Sequence, residues 1–189
     1  MRIALATLLF AGLSLPAFSA GPVPRPSPEF AVKMVPSGQT LISQYKGKAV
    51  CLAFISTTCP HCQKLTPVLS KMQQEYGPKG LQVVAAAFNP MANMYVPDFQ
   101  RQFKPDFPLG WATREAVLEY LQHSAMQQLY VPILVFIDKD GVIREQHLGD
   151  DMYLQREEAN IRTSIENILK SGKKTTQRRT SGAAVASAK

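Results

Sequence analysis

An α/β fold, one domain built on a central mixed β-sheet flanked by helices, is predicted by three features of the sequence. "KAVCLAFIS" (residues 48–56) and "LQVVAAAF" (81–88) are almost continuously apolar, as strands buried on both faces of a mostly parallel sheet are. Between them Leu65, Val68, Leu69, Met72 and Tyr76 recur at helical spacing, so the three segments form a βαβ unit with a right-handed crossover. Downstream, "ILVFI" and "VIREQHL" flank "DKDG", the signature of an antiparallel hairpin. A parallel pair and a hairpin in one sheet make it mixed.

The elements follow in order. Residues 1–20, "MRIALATLLFAGLSLPAFSA", open with a basic Arg2, run apolar to Leu15, break at Pro16 and end in small residues, the pattern of a secretory signal peptide. The apolar stretch from Ile3 to Leu15 is thirteen residues long, short of the ~20 that span a bilayer, which favours export with cleavage over a retained anchor. Residues 21–29 carry Pro22, Pro24, Pro26 and Pro28 at alternate positions and are expected to form a stiff extended linker. The domain is expected over residues 30–172. Its first helix opens near Pro60 and stops at Gly77-Pro78. Helical patches are expected over residues 93–104 and 113–122, the second capped by Thr113, while "NPMANMYVPDF" (89–99) reads as partly loop. A last helix over residues 152–171 turns Leu154, Ile161, Ile165 and Ile168 to one face and closes at Gly172. Residues 173–189, "KKTTQRRTSGAAVASAK", are poor in large apolar residues and are expected to be disordered.

Composition narrows the function classes. Hydrophobic residues make up 46% of the 189, enough for a packed core. The formal charge of +7 concentrates at the ends: five basic residues lie in the tail and Arg2 in the signal, leaving fifteen basic against fourteen acidic residues between them. The domain is almost neutral and no aromatic residues interleave the tail's charges, so nucleic-acid binding is not supported. Membrane contact is open only through an uncleaved signal or the basic tail, whose plainer role is solubility.

The chemistry sits in "STTCPHCQKLTP" (residues 56–67), where Cys59 and Cys62 are two residues apart at the mouth of a helix. Unpaired backbone N–H groups and the positive end of the helix dipole stabilise a thiolate there, and the thiolate is the form that attacks a disulfide. Cys59 is therefore the expected nucleophile. Cys62, inside the first turn, is less exposed and is expected to resolve the mixed disulfide. Pro60 opens the helix, and His61 is placed to add a hydrogen bond or, when protonated, a charge to the thiolate. Electrons then move only between sulfurs, so no organic cofactor is required; the redox-active disulfide Cys59-Cys62 is the whole centre.

Other uses of the pair fit less well. A purely structural disulfide across so short a loop constrains the unfolded chain little. A metal site would need ligands from Cys51, His61, His123 or His147, none at a metal-binding spacing. Haem attachment needs a histidine directly after the second cysteine, where Gln63 stands. A copper-carrying binding module is the alternative from a different class. Cys51, in the first buried strand, reads as an inert small hydrophobe, His123 and His147 as surface or hairpin residues, Met91, Met94 and Met126 as packing, and Trp111 as a packing anchor.

A βαβ unit with Cys-Pro-His-Cys at its first strand-to-helix junction, followed by a ββα unit opened by Val131-Pro132, resembles the thioredoxin superfamily. Pro67, five residues after Cys62, matches the proline inside that family's first helix, and Pro132 matches its cis-proline. "GKAVCLAFISTTCPHC" and "ILVFIDKDGVIREQHLG" further resemble the TlpA/ResA-like branch of exported thiol-disulfide proteins. The resemblance covers about residues 30–170. It implies a thioredoxin-like fold and a thiol-disulfide oxidoreductase that exchanges disulfides with other extracytoplasmic proteins and is restored by a separate redox-recycling partner. It also implies that the Val131-Pro132 bond is cis, leaving the Val131 backbone free to dock an extended substrate beside Cys59. The chain departs from thioredoxin at Thr58, where a tryptophan stands in that family, and at Ala53, where it has a buried aspartate. Pro60-His61 is instead the dipeptide of DsbA, an exported oxidant. A peroxiredoxin-like peroxidase is the rival within the same fold: Ser56 stands where that family carries Thr or Ser, but its proline seven residues before the cysteine is Leu52 here.

Overall fold

All seven residues of "AVCLAFI" are buried in the computed structural model, which describes residues 21–171. The strands are β1 (Arg25–Pro26), β2 (Ala31–Lys33), β3 (Gln39–Leu41), β4 (Ala49–Ile55), β5 (Leu81–Ala87), β6 (Leu109–Trp111), β7 (Ile133–Ile137) and β8 (Val142–His147). The α-helices are α1 (Pro60–Tyr76), α2 (Ala92–Phe103), α3 (Arg114–Leu121) and α4 (Glu157–Ser171). They build one sheet in the order β1-β8-β7-β4-β5-β6-β2-β3. Strands β4, β5 and β6 are parallel, β7 runs antiparallel to β4, and β8 runs antiparallel to β7. The mixed sheet and the hairpin are as the apolar runs predict.

Side chains alternate across a strand, and here both faces are covered. Ala49, Cys51, Ala53 and Ile55 of β4 face one core with Leu65, Leu69 and Met72 of α1 and Ile161, Ile165 and Ile168 of α4. Val50, Leu52 and Phe54 face the other, with Phe30, Val117 and Leu121. Ala85 and Ala86 of β5 divide between the two cores in the same way. This two-sided burial is why β4 and β5 read as continuous apolar runs. At Gly110 a Cβ would lie 2.2 Å from the Lys33 carbonyl oxygen, so only glycine lets β6 approach β2.

Four expectations change. The proline-rich segment of residues 21–29 is not a spacer: Arg25 and Pro26 pair with Ile143 and Val142 of β8. Arg25 is buried and donates to the Tyr120 carbonyl at 3.1 Å and to Gln146 Oε1 at 2.7 Å. The segment therefore belongs to the domain, whose described part begins at Gly21 rather than residue 30; alternate prolines suit an edge strand because one side of it needs no N–H. Second, α2 begins at Ala92 inside the expected loop and carries Pro97 within it. Third, the last helix begins as a 3-10 turn, Met152–Arg156, before α4 proper. Fourth, Met91, Met94 and Met126 are exposed rather than packed. The expected signal peptide, basic tail and Gly172 stop lie outside the described residues.

Candidate active site

Strand β4 ends at Ile55, and a short turn delivers Cys59 to the N-cap of α1, with Cys59 N–H donating to the Ser56 carbonyl at 3.2 Å. The turn is pinned by a buried polar residue, Thr57. Its N–H donates to Asn89 Oδ1 at 2.9 Å, Asn89 Nδ2 donates to its hydroxyl at 3.1 Å, and Gln63 Nε2 donates to its carbonyl at 3.0 Å. Asn89, just past the end of β5, thus fixes the loop that carries the thiol, because every backbone group it uses is taken out of play for other conformations. Pro60 occupies the first helical position, where a missing N–H costs nothing.

Cys59 caps the helix through its sulfur: Cys62 N–H donates to Cys59 Sγ at 3.3 Å. A backbone N–H aimed at sulfur at a helix N-terminus favours the negative charge that sulfur must carry to attack. Cys59 is partly exposed and Cys62 fully buried. Burial pushes the Cys62 thiol well above the ordinary cysteine range, and the neighbouring Cys59 adds to the rise, against a backbone hydrogen bond at Ser56 that opposes it. Ala53, where a buried acid would sit in thioredoxin, is fully buried and offers no proton acceptor.

The other wall of the site comes from the start of β7. The Val131-Pro132 peptide bond is cis, and Cys59 Sγ lies 4.0 Å from the Val131 carbonyl oxygen. Gly149 supports this bend from behind: its N–H donates to the Tyr130 carbonyl at 3.1 Å, and a Cβ there would stand 2.6 Å from the Tyr130 carbonyl carbon and Val131 N. The structure brings Cys59, Cys62, Val131 and Pro132 to one place. His61 also lies there, but its imidazole is engaged elsewhere, with Nε2 2.6 Å from Glu157 Oε2 at the start of α4.

Of the other singled-out residues, Cys51 is sealed in β4 and burial pushes its thiol up to about 12, consistent with an inert side chain. His123 is buried, not at the surface, with Nδ1 2.9 Å from the Ser124 carbonyl. His147 ends β8 in the hairpin, stacked on Tyr153 with ring centroids 3.6 Å apart. The Ser56 hydroxyl pairs with Thr58 Oγ1 at 3.1 Å. Among the described residues no group of three or more His, Cys, Asp or Glu side chains is placed to hold a metal ion. Sequence reasoning missed Asn89, Gln63, Gly149 and Glu157. Gly149 alone had a local signal, a glycine closing the second strand of the hairpin.

With this geometry in view, the relatives are informative. A family model described as AhpC/TSA matches residues 23–146. The chain belongs to the AhpC/TSA family. Within and around that family it is similar to the thiol-disulfide oxidoreductase ResA of Bacillus thuringiensis, 25% identical over 132 residues that cover 70% of this chain and 73% of that one. It is similar as well to the thioredoxin-like protein YneN of Bacillus subtilis, 29% identical over 125 residues, 65% of this chain and 69% of that one. Among solved structures it matches a thiol:disulfide interchange protein of the thioredoxin family from Chlorobium tepidum with a TM-score of 0.65 at 22% identity, covering 79% of this chain and 99% of that one. The fold of this AhpC/TSA member is thioredoxin-like.

Proposed function

We propose that this protein is a thiol-disulfide oxidoreductase that exchanges disulfides with other extracytoplasmic proteins through Cys59 and Cys62. The observation that carries the reading is the cap of α1, where a partly exposed thiol accepts the Cys62 N–H and lies within 4.0 Å of the Val131 carbonyl beside a cis-proline. An extended chain laid along Val131 has its sulfur delivered to Cys59 by main-chain pairing, which is indifferent to side-chain identity. The names of the ResA and YneN relatives support the same reading.

In the reducing direction, the Cys59 thiolate attacks one sulfur of a substrate disulfide, forming a mixed disulfide and expelling the second substrate sulfur as a thiolate. That thiolate takes the Cys62 proton. The Cys62 thiolate then attacks Cys59 Sγ, closing Cys59-Cys62 and releasing the first substrate sulfur. Two electrons pass from the protein dithiol to the substrate, and the same steps reversed oxidise a dithiol. Pro60 sets the helix start, Val131 and Pro132 dock the substrate, and a separate partner returns Cys59 and Cys62 to their starting state. Export rests on the signal-like residues 1–20. Peroxidase chemistry gains nothing from Ser56, whose hydroxyl is paired with Thr58.

The test is equilibration of the purified protein with defined glutathione or dithiothreitol ratios. A reduction potential near the thioredoxin value of about −270 mV makes it a supplier of electrons, and one near the DsbA value of about −120 mV an oxidant. If Cys59 and Cys62 do not cycle reversibly, and instead hold one equivalent of Cu(I) that is lost on Cys→Ser change, the oxidoreductase reading gives way to a metal carrier.

A further inference from the structure

His61 sits between the two reactive cysteines, yet among the described residues no hydrogen bond joins its ring to Cys59. The bonds at Cys59 Sγ run to Cys62 N–H and the Val131 carbonyl, while His61 Nε2 lies 2.6 Å from Glu157 Oε2. A neutral imidazole has a single N–H to give. Spent on a carboxylate, it is not available to a thiolate. A protonated ring keeps a second N–H, on Nδ1, but its charge is already matched by a carboxylate in direct contact and its ring is held on the Glu157 side.

The carboxylate is not there by chance of rotamer. Glu157 is the first residue of α4, where the positive end of the helix favours an acid, and its side chain is 17% exposed against 40% for His61. The two helices are laced together along their length: Lys71 with Glu158 at 2.7 Å, Arg162 with Glu75, and Tyr76 Oη donating to Glu166 at 2.8 Å. His61–Glu157 is the first rung of that ladder, so the rest of it fixes the spacing at which the imidazole and the carboxylate meet.

We propose that Glu157 is a positioning residue that holds the His61 imidazole away from Cys59, so that the thiolate is stabilised by the α1 backbone and not by the histidine. This rests on the oxidoreductase reading and deepens it. The Pro-His dipeptide here keeps the pair on the reducing side of what the same dipeptide would give with its ring free.

The experiment measures the glutathione equilibrium constant of wild type, Glu157→Ala, Glu157→Gln, His61→Ala and the double variant Glu157→Ala/His61→Ala, with far-UV circular dichroism to check folding. Releasing the ring by Glu157→Ala shifts the equilibrium toward the dithiol by about tenfold, equivalent to ~30 mV, the scale of one charge-assisted hydrogen bond. The double variant returns to the wild-type value, and Glu157→Gln, which keeps an acceptor oxygen, stays close to it. With Glu157 in place, His61→Ala moves the constant by less than about threefold, and this arm decides the matter even where Glu157→Ala does not fold. An unchanged constant in Glu157→Ala, an equal shift in the single and double variants, or a tenfold shift in His61→Ala overturns the assignment. Each of these requires a pair that cycles; failure to cycle at all overturns the oxidoreductase reading instead.

Discussion

Helices α1 and α3 begin in the same way. In each, the side chain of the N-cap residue accepts the backbone N–H three residues on, Cys59 Sγ from Cys62 and Thr113 Oγ1 from Ala116, both at 3.3 Å. Threonine is a favoured cap, and the first turn of α3 adds Glu115, which the positive helix end attracts. The first turn of α1 has no acid. Where α3 spends its N-terminus on stability, α1 turns it to the sulfur of Cys59. The candidate site is thus an ordinary capping motif with one atom exchanged and the competing carboxylate left out.

Exchanging that atom back is the sharpest break. Cys59→Ser keeps an acceptor for the Cys62 N–H but has no accessible anion, so disulfide exchange falls by at least about a thousandfold while stability stays within ~1 kcal/mol of wild type; an insulin-reduction assay and a urea titration measure the two. Next in size is Gly149→Ala. Cys59 has a neighbour that Thr113 lacks, the Val131 carbonyl, and the added methyl must push that bend because it would lie 2.6 Å from its backbone. Destabilisation by about 1–3 kcal/mol should come with a fall in kcat/KM for protein substrates and little change in the alkylation rate of Cys59 by a small reagent.

Thr113→Ala is the control on the other helix. It should cost ~1 kcal/mol in a urea titration and leave exchange per folded molecule unchanged. The smallest effect concerns a third cap. Asp151 Oδ1 accepts Tyr153 N–H at 3.0 Å, and Oδ2 is 2.9 Å from His147 Nδ1. Burial alone would lower the His147 pKa, but its bonds to Glu145 and Asp151 outweigh it, and the net shift is upward from 6.5. Glu145, through His147 and Ser164, and Asp151, through Tyr153 N–H and His147 against burial, are shifted down from 4.5 and 3.8. A raised histidine contributes stability that is full below 6.5 and lost as pH rises through its folded value; lowered carboxylates contribute stability present above their ordinary values and lost as pH falls through their folded ones. The cluster is therefore strongest between roughly pH 4.5 and 6.5. Unfolding free energies from denaturant titrations at pH 5.5 and 8.5 should differ less in His147→Gln than in wild type, by about 0.5 kcal/mol.

What could be read from the sequence follows from how locally each feature is encoded. Strands β4, β5 and β7 announce themselves because burial on both faces leaves them almost wholly apolar, Gln82 of β5 being the one polar residue, and α1 because its apolar residues keep one helical stripe. The cysteine pair is legible because its chemistry depends on two residues of spacing and a helix start. Strands β1, β2, β3 and β6 are two or three residues long, too short for any period, and exist because a neighbouring strand offers them hydrogen bonds. The proline run misled for the same reason: its extended conformation was legible, but the partner that holds it, β8, lies more than a hundred residues away. Asn89 and Glu157 are invisible in the same sense. Each meets its partner across the fold, Thr57 and His61, and no local pattern marks either.

The edge of the sheet at β1 has a further consequence. Ser27 N–H turns inward to the Gly141 carbonyl at 2.8 Å, and in an extended chain neighbouring residues present their backbone groups to opposite sides. Pro26 and Pro28 therefore occupy the outward side, where they have no N–H to give. A foreign strand approaching this edge finds no ladder of donors to zip onto. This border is thus kept from acting as a template for strand-by-strand aggregation.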